Sequence, residues 1–259
     1  MNRIFAFGAL LAGLVMPVMA QAQAPSNRLD AVVARGVLRV GMPGDYRPFA
    51  LRDAATAEIS GIDVDMAENL AKSLGVKLEI VPTKWADLLH DIGSDKFDIG
   101  MGGISINLAR QKTALFSTPL MRGGKSAISR CDAQAKFPTL ASIDKPGVKV
   151  ITNPGGTNET FDRTRLKSAE IVLAPNNLVV WDELIAGHAD VMITDNVETQ
   201  LQQKLHPELC AIHPEAPFDF DEKGYLLPRD IVFQQYVNQW LHILSETGAI
   251  ARINAKWLN

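Results

Sequence analysis

Only two cysteines, Cys131 and Cys210, occur in 259 residues, aromatic residues make up 7% of the chain, and neither sign of charge dominates. Each scarcity narrows the field. Two cysteines allow one disulfide at most. They also fall short of a zinc site: in HPELCAIH, Cys210 has His206 and His213 for neighbours, a spacing that fits no established zinc pattern and supplies no fourth ligand, so no metal is expected. The 26 Lys and Arg against 29 Asp and Glu leave a net charge of −3, too balanced for a nucleic-acid or acidic-membrane partner. Beyond residue 18 no apolar run approaches the about 20 residues that span a bilayer, and no repeats or low-complexity segments occur.

What is present is a chain with 47% hydrophobic residues, enough to bury a core in one large domain or two small lobes. The first 24 residues stand apart. Arg3 is followed by an apolar stretch from Ile4 to Val18 and by Ala20, Ala22 and Ala24 in A-x-A spacing, the pattern of a secretory signal peptide. No cysteine near that point suggests a lipid anchor, so the expectation is a soluble protein exported to a bacterial periplasm. In such an oxidising compartment Cys131 and Cys210 either stay free or pair, and pairing would contribute roughly 4 kcal/mol through loop closure.

From residue 27 onward strand and helix patterns alternate. GVLRVGM and VKLEIVP read as strands flanking the amphipathic helix GIDVDMAENLAKSLG, which Gly75 ends. WADLLHDIGSDK reads as a short helix and FDIGMGGIS as a buried strand. A second set follows FSTPLM: KSAISR, GVKVITNPGG, the helix TNETFDRTRLK, EIVLAP, the helix NLVVWDELIAG, and ADVMITD. GYLLPRD and one long helix from Ile231 to Trp257 then return to the first unit. The expected architecture is α/β: residues 27–121 and 220–259 form lobe one and 122–219 lobe two. Each lobe is a mostly parallel sheet flanked by helices, and a ligand cleft lies between them.

GDYRPF, GIDVDMAENLAKSLG, KFDIGMGGISINLARQKTALFSTPLM, NPGGTNETF, ADVMITD and TGAIARINAKWLN occur in the order and spacing of periplasmic solute-binding proteins for polar amino acids, and the resemblance covers residues 27–259. It implies the two-lobed periplasmic-binding-protein-like (type II) fold, a clamp that shuts on its ligand. Arg110 would then pair with a ligand carboxylate through its guanidinium fork. Ser105, at the end of the preceding strand, is placed either to donate to the ligand or to cap. In NPGGT, Gly155 and Gly156 allow close backbone approach, Thr157 and the free amides of a helix start favour an anion, and Asn153 adds a side-chain amide. Trp85 and Tyr46 would line the cleft, and Phe49 belongs to the core.

ITDNVETQ holds two acids three residues apart, Asp195 and Glu198. In the amino-acid receptors the acid matching Asp195 binds the ligand's ammonium group. Alternatively the two form a capping box at a helix start, without chemistry. DYRPF, NPGGTNE and ITDNVE together resemble most the cyclohexadienyl dehydratases, exported enzymes on this fold that convert prephenate to phenylpyruvate and L-arogenate to L-phenylalanine. That resemblance implies that Glu198 is the catalytic general acid, its pKa raised by burial beside Asp195, and that no cofactor is needed. The rival expectation is a polar-amino-acid receptor feeding an ABC transporter. The sequence leaves the oligomeric state open.

Overall fold

The computed structural model describes residues 27–258, so the signal-peptide reading of residues 1–24 lies outside the described residues. Two five-stranded sheets form the centres of two lobes. The first is ordered Lys77–Pro82, Val37–Met42, Ile99–Gly100, Leu226–Leu227, Leu115–Phe116. The second runs Glu170–Leu173, Lys149–Thr152, Val191–Asp195, Lys125–Arg130, Leu209–Ile212. Between them, Met121–Gly123 pairs antiparallel with Asp221–Lys223, a two-stranded ribbon carrying the chain out of lobe one and back.

The sheets are mixed, not mostly parallel as expected. In each, the two pairings made by the βαβ half are parallel and the two made by strands next to the ribbon are antiparallel. The cause is the double crossing. A chain that leaves and re-enters a lobe at one edge brings its flanking strands in with opposite directions, as Leu226 opposite Phe116 shows. Parallel pairing survives where a helix can return the chain over the sheet.

Local sequence accounts for the helices that carry this frame. Ile62–Leu74 buries Ile62, Met66, Ala67, Leu70 and Ala71 on one face, and Gly75 ends it at φ 68°, a left-handed conformation that glycine adopts without a Cβ penalty. Asp230 caps the return helix Ile231–Glu246 by accepting from the Phe233 N–H at 2.9 Å. Phe233, Val237, Trp240, Leu241 and Leu244 face the lobe-one core. The single long helix expected here is two: Gly248, at φ 68°, breaks it, and Ala249–Leu258 turns back to let Trp257 Nε1 donate to Asp65 Oδ2 at 2.8 Å. No helix among the described residues is long and apolar enough to cross a membrane.

Cys131 and Cys210 are bonded to each other across a sequence separation of 79, tying the ends of two antiparallel strands in lobe two. This bond also removes Cys210 from any metal-binding role. Loop closure over that separation stabilises the fold by up to about 4 kcal/mol. Replacing both cysteines by serine should lower the thermal midpoint by on the order of 10 °C, measured by circular dichroism, and a reductant should reproduce the shift in the unmutated protein.

Candidate active site

All nine residues singled out from the sequence, Tyr46, Trp85, Ser105, Arg110, Asn153, Gly156, Thr157, Asp195 and Glu198, line one cavity between the lobes. Gly103, Asn158 and Asn177 complete its lining.

The lobe-one wall is held from beneath. Buried Asp63 accepts from the N–H groups of Gly102 and Gly103, both at 2.7 Å, and from the Tyr225 hydroxyl at 3.0 Å. A Cβ on Gly103 would stand 2.4 Å from the Phe49 ring and 2.7 Å from that of Tyr46, so only glycine lets this loop pass behind the two aromatics. Phe49 is wholly in the core, and Tyr46 contacts both it and Trp85, with ring centroids at 5.1 and 5.9 Å. Trp85 is oriented by donating its indole N–H to Asp45 at 2.8 Å.

Arg110 sits on the short helix Leu108–Gln111, whose cap is Asn107 and not Ser105. Its Nη1 donates to the Ser105 carbonyl at 2.8 Å, and among the described residues it has no carboxylate partner. Burial pulls its pKa down to about 10, which leaves it cationic at neutral pH. A buried guanidinium without an internal anion is a receptor for an external one. Ser105 differs from expectation: its hydroxyl donates to Asp221 at 3.1 Å and accepts from Lys223 at 2.7 Å, so its hydrogen is not free for a ligand.

Across the cavity, Gly156 precedes the helix Thr157–Arg165 and gives it no side-chain cap, so backbone N–H groups remain for an anion. Gly155 packs so tightly on lobe one that an added Cβ would lie 2.8 Å from that of Ala86. Thr157 Oγ1 accepts from Lys125 Nζ at 3.0 Å. Asn153 is buried with its Oδ1 unpartnered.

Asp195 and Glu198 form no capping box. Asp195 begins the helix Asn196–Leu205 without a side-chain cap bond. Its Oδ1 accepts from Lys125 Nζ at 2.7 Å, and its Oδ2 from Lys223 Nζ at 2.5 Å and from the Tyr46 hydroxyl. Burial alone would raise its pKa, but the two lysines outweigh burial and hold it far below the usual carboxylate range. Lys223 shows the mirror image, its pKa lowered by burial yet raised on balance by Asp195 and Asp221. Glu198 has no exposed surface, and no cation among the described residues is bonded to it. Its Oε1 accepts from Asn177 Nδ2 at 3.1 Å and its Oε2 from Thr194 Oγ1 at 2.6 Å. Burial pushes its pKa up to about 8, the Thr194 bond opposes this, and the Asp195 charge adds to it. At neutral pH the pair thus holds one anion and one neutral acid.

Residues 38–259 match the family described as bacterial extracellular solute-binding proteins, family 3. The chain belongs to that family. A cyclohexadienyl dehydratase of Pseudomonas aeruginosa is 51% identical to this family-3 protein over 248 residues, covering 96% of this chain and 92% of the relative. Two crystal structures are similar. One is an ancestral amino acid-binding protein described as a precursor of cyclohexadienyl dehydratase, with TM-score 0.83 and 33% identity over 89% of this chain and 99% of that one. The other is an ancestral cyclohexadienyl dehydratase, with TM-score 0.57 and 47% identity over 91% of this chain and 98% of that one.

Sequence reasoning missed Lys125, Lys223, Asn177, Asn158 and Thr194. Lys125 was recoverable in part, because it lies directly opposite Asp195 in an antiparallel pairing of two strands that both read correctly as strands. Lys223 sits on the ribbon and Asn177 in a loop, where no periodicity marks a residue's direction. No group of three or more His, Cys, Asp or Glu among the described residues is placed to hold a metal ion. Removing one cation from the buried trio should be costly. Lys223→Met is expected to destabilise the family-3 protein by about 3–5 kcal/mol, read from its urea midpoint. Combining it with Asp195→Asn should recover part of that loss.

Proposed function

We propose that this chain is an exported, periplasmic cyclohexadienyl dehydratase that turns prephenate into phenylpyruvate and L-arogenate into L-phenylalanine, with Glu198 as general acid. The observation that carries the reading is the fully buried Glu198, kept neutral near pH 7 in a cavity whose walls supply a guanidinium without a carboxylate partner among the described residues and a helix start without a side-chain cap. We further propose the lobe boundaries at residues 121/122 and 219/220.

The substrate bears a ring carboxylate and, on the opposite ring carbon, a hydroxyl. The bond from the ring to the carboxylate breaks, its electron pair enters the ring, and the C–O bond opposite breaks. Carbon dioxide departs from one end, and hydroxide leaves from the other with the Glu198 proton as water. Aromatisation drives the step, so the protein's task is to make hydroxide a tolerable leaving group. A positioned acid contributes about 10²–10⁴-fold to such a reaction. Arg110 and the Gly156–Thr157 turn hold the side-chain carboxylate and orient the molecule. Trp85 presents an apolar face to the ring and leaves the departing carboxylate without a strong ion pair.

Asp195 has a different duty from that of the ammonium-binding acid in amino-acid receptors. Both its oxygens are taken by Lys125, Lys223 and Tyr46, which also weighs against a receptor for an α-amino acid. In the dehydratase reading it is scaffold for either substrate, so Asp195→Asn should lower kcat/KM for prephenate and L-arogenate by a similar factor. A loss confined to L-arogenate would instead assign it the ammonium group.

Purified protein should form phenylpyruvate from prephenate, followed by absorbance after alkalinisation. Glu198→Gln should lower kcat by about 10²–10⁴-fold while still binding substrate. Arg110→Lys should act mainly by raising KM. Because the acid works only when protonated, kcat/KM should be flat below pH 8 and fall as pH rises through about 8, where Glu198 ionises. Absence of product, with tight binding of an amino acid, would overturn the reading.

A further inference from the structure

Four residues of lobe two hold Glu198 through hydrogen bonds whose directions can be fixed one after another. Lys125 Nζ has three hydrogens and three acceptors: Asp195 Oδ1 at 2.7 Å, Thr157 Oγ1 at 3.0 Å and Asn158 Oδ1 at 2.5 Å. An ammonium only donates, so Asn158 must turn its oxygen to Lys125 and its amide nitrogen to Thr194. That nitrogen donates to Thr194 Oγ1 at 3.0 Å. Thr194 is therefore an acceptor on this side, and its one hydrogen goes to Glu198 Oε2 at 2.6 Å. On the other oxygen, Asn177 Nδ2 donates to Glu198 Oε1 at 3.1 Å and to the Asp45 carbonyl at 3.2 Å. A carbonyl only accepts, so the Asn177 amide is fixed as well.

We infer that Lys125, Asn158 and Thr194 form a one-way hydrogen-bond chain that makes Oε2 the carbonyl oxygen of Glu198 and leaves Oε1 as the oxygen that carries and delivers the proton. In a neutral carboxyl the carbonyl oxygen is the better acceptor, and the shorter bond, from Thr194, selects Oε2. When the proton has left, the same donor stabilises the carboxylate. The chain thus strengthens an acid that burial alone would make too weak, and Lys125, Asn158 and Thr194 are positioning residues for Glu198.

The charged and titratable groups around Glu198 are few. Asp195 precedes it on the same turn, Lys125 approaches from the neighbouring strand and Tyr46 from lobe one. Asp45, Arg47, Asp182 and His206 line a second pocket that Glu198 also borders. Among these, Thr194→Val changes no charge and keeps the side chain's shape, so its effect on Glu198 isolates the hydrogen bond.

This inference rests on the proposed general-acid role, and its test has one arm independent of it. The Glu198 carboxyl carbon is titrated by NMR in the ligand-free protein, its signal assigned by loss in Glu198→Gln. Thr194→Val should raise the midpoint by about one to two pH units, the value of a hydrogen bond to a charged group. With prephenate at pH 7, kcat should fall about tenfold while KM changes less than about twofold. Thr194→Ser, which keeps the hydroxyl, should restore both. Asn158→Asp offers Thr194 only acceptors, reverses the chain and should reproduce the Thr194→Val phenotype. A Thr194→Val midpoint within about 0.3 unit of the unmutated protein, or a Thr194→Ser variant as impaired as Thr194→Val, would overturn the inference. Failure of the unmutated protein to consume prephenate would sink the proposed function, and the midpoints would still decide the chain.

Discussion

A carboxylate 4% exposed must be paired or it will not stay charged, and the pairing of Asp195 sets the arrangement of the whole site. Its partners come from three places: Lys125 from the first strand of lobe two, Lys223 from the return ribbon, and Tyr46 from lobe one. Only with the lobes drawn together are all three present at once. Lys223 also bonds Ser105, and Asn177 bonds the Asp45 carbonyl, so the groups that satisfy the buried charge and those that brace Glu198 are the same groups that join the lobes. Closure and electrostatics are one event here.

The two acids of ITDNVETQ show how little distance is needed for opposite protonation states. Asp195 lies at the end of a strand, directly opposite Lys125, and two cations override its burial. Glu198 is one helical turn further on and meets only neutral donors, an amide and a hydroxyl, so burial wins and the acid stays neutral near pH 7. The Asp195 charge adds to that rise without leading it. Had either lysine reached Glu198 instead, the site would hold two anions and no proton to give.

Much of this was legible in the sequence, for reasons that differ by element. The glycines of NPGGT, the Arg110 segment and the ITD-x-x-E spacing are local patterns, and local patterns survive into the fold, so nine residues read one by one meet in one cavity. What failed was what depends on direction. The mostly parallel sheets became mixed because strand polarity is set by where the chain crosses between lobes, which hydrophobic alternation does not encode. The missing lysines follow from the same gap. Lys125 faces Asp195 only through antiparallel register, and Lys223 arrives on a three-residue strand too short to show a period. The break in the C-terminal helix had a visible cue in Thr247–Gly248, a left-handed glycine of the kind that ends helices.

The enclosure that keeps Glu198 neutral also limits how it can be used. In the proposed reaction each turnover leaves this side chain as a carboxylate, and with no exposed surface it cannot take a proton from bulk water while the lobes remain together. Separating them costs the Tyr46 bond to Asp195 and the Asn177 bond to the Asp45 carbonyl. A freshly formed Glu198 carboxylate beside Asp195 places two negative charges within one helical turn, whereas the neutral acid places one. Burying the Glu198 charge is costly only after the proton is spent, and the Asp195 charge adds to the cost, so the closed state weakens at the stage when product must leave and the acid must be reprotonated. The second acid, which helps hold the proton before reaction, then helps open the cleft after it.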